Sequence, residues 1–409
     1  VSSPTHSPLT HWPIAGDCLI VGGMPVTLLA QRLGRTPFYA YDRRLVSERV
    51  ALLRRHLPPE VKLHYAMKAN PMPALVAHIA AQVDGIDVAS GGELKVALDA
   101  GADPREVSFA GPGKRDAELG EAVAAGILVN IESAREIGVL ARLSRELGVP
   151  ARVAVRVNPD FELKSSGMKM GGGPKPFGVD AETVPETLRE IEGAGLSFEG
   201  FHIYSGSQNL RAEAICDAQQ KSVELAIRLA ASARSPVQVL NIGGGFGIPY
   251  FPGERALDIA PIGANLREVA ARTAKALPRA RLVVELGRYL VGEAGIYVCR
   301  VVDRKISRGH VFLVTDGGLH HHLAASGNFG QVIRKNYPVA IGNRMRGVKR
   351  ETASVVGPLC TPLDILADGM DLAEATPGDL VVVFQSGAYG YTASPHLFLN
   401  HPPPQEVLV

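Results

Sequence analysis

Eight short runs of β-forming apolar residues recur along the first two thirds of the chain. They are KLHYAMKA at 62–69, GIDVAS at 85–90, VSFAGP at 107–112, ILVNIE at 127–132, ARVAVRVNP at 151–159, FEGFHIYSG at 198–206, VQVLNIGGG at 237–245 and RLVVELG at 281–287. Near-continuous apolar runs suit strands buried on both faces. The segments between them, such as PALVAHIAAQV, GGELKVALDAG and AREIGVLARLSRELG, place apolar residues three and four apart, as amphipathic crossover helices do. Eight strand-helix alternations over roughly 250 residues predict an α/β chain built on a (β/α)8 barrel, with a doubly wound open sheet as the alternative.

After Gly287 the pattern changes. YLVGEAGIYVCRVVDRKI, HVFLVTDGG, TASVVGPLC, DLVVVFQSGAYG and QEVLV cluster β-formers between turn residues with few helical stretches, which predicts a separate β-domain. The expected division is a barrel over 37–281 and a β-domain over 282–409, with CLIVGGMPVTLLAQRLG in the 1–36 segment contributing a strand to the latter. HPPPQ at 401–405 reads as a rigid spacer.

Composition narrows the function class. The 43 basic and 41 acidic side chains nearly cancel, so no global field draws the chain to nucleic acid or an anionic membrane. The four cysteines, Cys18, Cys216, Cys299 and Cys360, lie far apart with no zinc spacing, and they read as reduced thiols. No run of eighteen apolar residues and no basic-then-apolar leader occurs, so a cytoplasmic, small-molecule enzyme is expected, with a trimmed leader left open by the Val1 start.

Barrels carry reactive groups at the C-terminal ends of their strands. Polar residues stand at those positions in otherwise apolar runs: Lys68, Asp87, Arg156, His202, Ser205, the glycines 243–245 and 247, and Glu285. Taken singly, Lys68 reads as a solvated strand-end lysine. NIGGGFG is a strand followed by a glycine turn whose N–H groups can approach a phosphate. It lacks the G-x-G-x-x-G spacing of a dinucleotide site.

YAMKAN, DVASGGEL, FHIYSGSQ, NIGGGFG, ELGRY, GPLC and GAYG, in this order, resemble the motifs of the fold type III pyridoxal 5'-phosphate (PLP) decarboxylases, which include ornithine and diaminopimelate decarboxylases. The resemblance runs from about Pro37 to the C-terminus. It implies an alanine-racemase-like barrel with a β-domain, and a homodimer with shared active sites. It implies that Lys68 carries the cofactor as a Schiff base and that His202 stacks on the pyridine ring. Ser205, Gly243, Gly244, Gly245, Arg288 and Tyr389 are implied as the phosphate cup, and Asp87 and Arg156 as polar neighbours, with structural ion pairing as their plainer reading. Glu285 is implied at the pyridine nitrogen, where a carboxylate favours decarboxylation; the related alanine racemases have an arginine there. Cys360 resembles the cysteine that the second subunit supplies to protonate the product carbon. No metal is expected; His320, His321 and His322 are read as lining or supporting the site entrance.

The pattern breaks at the substrate end. Ornithine-type enzymes follow the cysteine with Asp, and diaminopimelate enzymes with Glu, whereas here Cys360 is followed by the neutral Thr361. A free distal ammonium is therefore disfavoured unless Asp364 substitutes. GPLCTP, KMGGGPKPFGVD, HIYSGSQNL, DGGLHHH, NYP and SGAYG look most like the subgroup that decarboxylates a glutamyl group thioesterified to an acyl carrier protein, which also includes exosortase-associated enzymes. Arg334 could mirror the arginine that binds a distal carboxylate in diaminopimelate decarboxylases. The loop 165–178 reads as a mobile lid, whose Lys169 and Lys175 could meet an acidic carrier. The alternatives are meso-diaminopimelate decarboxylase and, from another class, a non-catalytic regulator like the antizyme inhibitors.

Overall fold

The eight apolar runs form eight parallel strands: β1 (Lys62–Ala66), β2 (Gly85–Val88), β3 (Val107–Phe109), β4 (Leu128–Ile131), β5 (Arg152–Asn158), β6 (Ser197–Ile203), β7 (Val239–Asn241) and β8 (Arg281–Leu286). The computed structural model describes residues 7, 9, 11–162, 168–169, 171–331 and 334–409. Each strand pairs with its successor, and β8 pairs back onto β1, so the sheet closes and the open-sheet alternative fails. Closure leaves no strand edge exposed, which is the stable solution for an all-parallel sheet whose runs are apolar on both faces.

Local chemistry sets the helix boundaries. The helix Gly91–Asp99 begins where Ser90 Oγ accepts the Glu93 N–H at 3.1 Å and the Glu93 carboxylate accepts the Ala89 N–H at 2.7 Å. This is the reciprocal arrangement that satisfies otherwise orphaned first-turn donors. Helices Asp116–Ala125 and Ala134–Leu147 stop at Gly126 and Gly148, both in the left-handed conformation at φ 69° and 65°. Inside the sheet, Leu128, Ala154, Val239 and Val283 form a buried apolar cluster drawn from four strands. Burial of each larger side chain contributes about 1.5–3 kcal/mol.

The chain separates into two compact units: 49–247 with 257–287, which holds the barrel, and 1–48, 248–256 and 288–409. The second unit is built on β9 (Gly295–Ser307), β10 (His310–Thr315), β11 (Val339–Ile341), β12 (Arg350–Val356), β13 (Ile365–Ala373), β14 (Leu380–Val383) and β15 (Gln405–Leu408). Its strand order is β11-β14-β9-β10-β12-β13. The strand Phe38–Tyr41 pairs antiparallel with β9 and parallel with β15.

Three expected boundaries move. Phe38–Tyr41, expected within the barrel region, belongs to the second sheet, where Phe38, Tyr39 and Tyr41 are buried. Arg281–Leu286 closes the barrel, so the division falls after it rather than at 281. Cys18–Val21 forms a small three-stranded sheet with Ile14–Ala15 and Met24–Pro25 instead of joining the large one. Strand propensity is local, whereas the choice of sheet depends on partners hundreds of residues away. Among the described residues, no helix is long and apolar enough to cross a membrane.

Candidate active site

The polar residues at the barrel's strand ends converge on a cavity of about 260 Å³, lined by Lys68, Asp87, Arg156, Phe177, His202 and Glu285 among others. Lys68 sits on a single 3-10 turn, Met67–Ala69, directly after β1. The turn is pinned at its exit, where Tyr65 Oη donates to the Asn70 carbonyl at 2.7 Å and Asn70 Oδ1 accepts the Met72 N–H at 3.1 Å. The half-buried lysine lies with its Nζ 5.2 Å from the centre of the Tyr204 ring.

Glu285 is 5% exposed near the end of β8. Its Oε2 accepts Asn241 Nδ2 from the neighbouring β7 at 2.9 Å, and His202 Nε2 stands 3.0 Å from the same oxygen. That imidazole contact is out of line with the ring N–H, so both His202 nitrogens lack an aligned hydrogen bond among the described residues. Burial alone would raise the Glu285 pKa, but the His202 ring, then Lys68 and Arg156, outweigh it and hold the carboxyl well below its usual range.

Arg156, at the end of β5, donates from Nη1 to Glu132 Oε1 at 2.8 Å, and its guanidinium lies 5.1 Å from the Phe177 ring centre. The plainer reading, structural ion pairing, is thus realised at a residue that also lines the cavity. Burial would raise the Glu132 pKa; Arg156 and Lys114 reverse that and lower it. Asp87 accepts Ser108 Oγ on Oδ1 at 2.5 Å and faces His64 Nδ1 at 3.2 Å.

The glycine turn after β7 owes its composition to close approach. Gly243 and Gly245 have φ 68° and 76°, and a Cβ on Gly244 would stand 2.2 Å from the Glu285 carbonyl oxygen. Asn241 Oδ1 accepts the Gly243 N–H at 2.8 Å, and the Gly243 carbonyl accepts the Glu285 N–H at 3.0 Å, so the turn and Glu285 form one hydrogen-bonded unit. Ser205 is buried just after β6. Of the glycine-rich 165–178 segment, residues 165–167 and 170 and the Lys169 side chain lie outside the described residues. The described part is tied down: Asn158 Oδ1 accepts the Gly172 N–H at 3.1 Å, Glu132 Oε2 accepts the Gly178 N–H at 3.1 Å, and Lys175 is half-buried.

Arg288 and Tyr389 meet within the second unit. The guanidinium lies 4.6 Å from the Tyr389 ring centre and donates to Tyr250 Oη at 2.7 Å, while its Nε has no partner among the described residues. Cys360 is exposed, and Thr361 is half-buried. Arg334 is half-buried, donates from Nη2 to the Ile365 carbonyl at 3.0 Å, and has an Nε with no partner among the described residues.

Asp364 is bound to the backbone. It is 2% exposed, with Oδ1 accepting the Leu319 N–H at 2.6 Å and Oδ2 the Leu359 N–H at 2.8 Å. Both oxygens therefore brace two backbone turns, and the side chain is buried. Asp364→Ala is expected to destabilise the chain by about 2–4 kcal/mol, since two buried N–H donors lose a charged acceptor; urea unfolding measures this.

The three histidines are buried as well. All three lie in the second unit, His320 against His321 and His401, His321 against Tyr297, and His322 against Tyr39, Tyr297 and Tyr337. His322 Nε2 lies 2.9 Å from Ser386 Oγ, and His321 Nε2 3.0 Å from the Pro402 carbonyl. Burial pushes their pKa values down, to about 4 for His320 and about 3 for His321 and His322. Unfolded imidazoles titrate near 6.5, so below about pH 6.5 the unfolded chain binds protons that the folded chain refuses, and stability falls until the folded pKa values are reached. Melting temperature is expected to drop between pH 7.5 and 5, and to drop less in His322→Gln, which retains a partner for Ser386.

Sequence reasoning missed Glu132, Asn241, Phe177, His64 and Tyr250. Glu132 and Asn241 end or nearly end their strands, so the rule that found Lys68 and Glu285 also reaches them. Phe177 and Tyr250 lie in loops, where no periodicity marks them.

Residues 43–292, more than half of the chain, match the family model described as "Pyridoxal-dependent decarboxylase, pyridoxal binding domain". The chain is 38% identical to the L-glutamyl-[BtrI acyl-carrier protein] decarboxylase of Niallia circulans, over 94% of its own length and 90% of that protein's. It is 33% identical to the diaminopimelate decarboxylase of Aquifex aeolicus, over 96% and 90% of the two chains. Among solved structures, an SrLDC mutant in complex with PLP superposes with a TM-score of 0.79 at 26% identity, covering 94% of each chain. A closed parallel barrel with lysine, histidine and glutamate at its strand ends, together with these matches, shows that the chain belongs to the pyridoxal-dependent decarboxylases and is a PLP-dependent amino-acid carboxy-lyase.

Proposed function

We propose that the substrate is an L-amino acid with no free distal charge, of the glutamyl type and tethered as a thioester to an acyl carrier protein, and that two copies of the chain share their active sites. The observation that carries this reading is the chemistry of the turn after Cys360. Thr361 is neutral, and Asp364, the nearest carboxylate in sequence, is held inward by the Leu319 and Leu359 N–H groups. A distal ammonium would thus find no carboxylate on this segment, a loss of several kcal/mol in a closed site, on the order expected for an unpaired charge. A thioester asks for none.

The barrel cavity suits PLP: one lysine, an acidic partner across from it, and imidazole nitrogens and an Asp87 oxygen still unpartnered among the described residues. When bound, the cofactor supplies the ring that accepts the electrons left by departing CO₂. Lys68 would hold its carbonyl carbon, Glu285 its pyridine nitrogen, and His202 one ring face. Ser205, Gly243, Gly244 and Gly245 would hold its phosphate, with Asp87 and Arg156 beside the lysine. The bond from the α-carbon to the carboxylate breaks, CO₂ leaves, and Cys360 delivers a proton to that carbon. Its exposure on a single chain suits delivery to a second copy.

Arg334, with a guanidinium nitrogen unpartnered, favours a second reading in which a distal carboxylate is bound, as in meso-diaminopimelate. Release of CO₂ from free meso-diaminopimelate, free L-glutamate and carrier-linked glutamate separates the two. Turnover of the carrier-linked substrate alone is the expected outcome; efficient formation of lysine from free diaminopimelate overturns it.

A further inference from the structure

We infer that His64, inside the barrel, is a positioning residue for this site: it holds Asp87 by one carboxylate oxygen and leaves the other, without a partner among the described residues, at the wall of the cavity that contains Lys68. The inference rests on the reading that Lys68 carries the cofactor.

His64 lies on β1 directly across from Gly85, and Ala66, two residues on, lies across from Asp87. Alternation along the strand therefore puts the imidazole on the same face as Ala66, below Asp87. The ring is buried, with Nδ1 3.2 Å from Asp87 Oδ1. Ser108 Oγ reaches the same oxygen at 2.5 Å and in turn accepts Asn130 Nδ2 at 3.3 Å, so one polar chain crosses β1 to β4. Asp87 Oδ2 is buried and has no partner among the described residues.

Plain packing does not account for a histidine here. A Cβ on Gly85 would stand 2.3 Å from the Glu106 carbonyl oxygen and 2.5 Å from His64 Nε2, so the ring packs against a strand position with no room for a side chain. Nε2 itself has no partner among the described residues, a cost that an apolar side chain would avoid. The charged groups acting on the ring are the Asp87, Glu106 and Glu285 carboxylates, with Lys68 four residues along the chain and Arg281 paired to Glu106. Burial would lower the imidazole pKa; Asp87, then Glu106 and Glu285, raise it overall. The contact with the ring holds the Asp87 carboxylate at the wall of the cavity, where its negative charge favours the protonated form of a group at Lys68.

Two measurements test this in the full chain. In the holoenzyme, the pH midpoint of the cofactor's visible absorption band is expected to fall by about one unit in His64→Phe. It should return toward the native value in His64→Asn, whose amide keeps a donor for Asp87. A midpoint unchanged in His64→Phe, with CO₂ release within twofold of native, overturns the inference. In cofactor-free protein with 15N-labelled histidine, the His64 pKa is expected to fall by about one unit or more in Asp87→Asn. An unchanged value overturns the inference even if His64→Phe does not fold. Failure of the Lys68 reading shows separately, as a band that survives in Lys68→Ala.

Discussion

Lys68→Ala is expected to abolish the cofactor's lysine-linked absorption and to lower CO₂ release by on the order of 10⁴-fold or more, because a covalent route is lost rather than a contact. Among the described residues, Lys68 is the only lysine lining the cavity. Arg156, also in that lining, is paired with Glu132, and a guanidinium cannot replace a nucleophilic amine. Lys68→Arg sharpens the test, since it keeps the positive charge that helps hold Glu285 ionised while removing the nucleophile. Equal loss in both variants assigns the role to the amine. Persistence of the band and of turnover in Lys68→Arg would refute the assignment.

Glu285→Gln is expected to reduce kcat by about 10²–10³-fold, the scale on which a preorganised charge at the reacting system acts. Gln can still accept from Asn241, and it leaves the Gly243 carbonyl bonded to the backbone N–H of residue 285. Geometry and stability should therefore change little while the charge is lost. The carboxyl is held well below its usual range by His202, Lys68 and Arg156, so it is ionised throughout the neutral range and the native rate should show no step from its titration there. A kcat within threefold of native, with cofactor bound, would show that the carboxylate does not support electron withdrawal.

The barrel was legible because its signal is periodic and local. Eight apolar runs with helical spacing between them specify strands buried on both faces, and only a small set of architectures buries eight such strands. Lys68, Asp87, Arg156, His202 and Glu285 stood out as polar residues at the ends of apolar runs, and they converge because parallel strands in a barrel deliver their C-terminal ends to one rim. Glu132 was legible by the same rule. His64 was not, because a histidine in mid-strand looks the same in sequence whether it packs or pairs, and its meaning comes from Gly85 and Asp87 on the next strand.

Asp364 and the three histidines show the limit most clearly. Beside Cys360, a carboxylate reads as substrate-facing, and HHH after a glycine turn reads as a site entrance. The direction in which each side chain points is set by which backbone N–H groups and rings the tertiary fold brings up to it, at separations of 45 residues for Asp364 and Leu319 and 81 for His321 and Pro402. The sequence by itself determined the barrel, the β-rich remainder, the cofactor class implied by the ordered motifs, and the neutral Thr361. The tertiary structure decided that Phe38–Tyr41 joins the second sheet, that Arg156 is paired with Glu132, and that Asp364 is spoken for by the backbone. The first set follows from periodicity and residue chemistry along the chain; the second follows from long-range partners, which local physics does not encode.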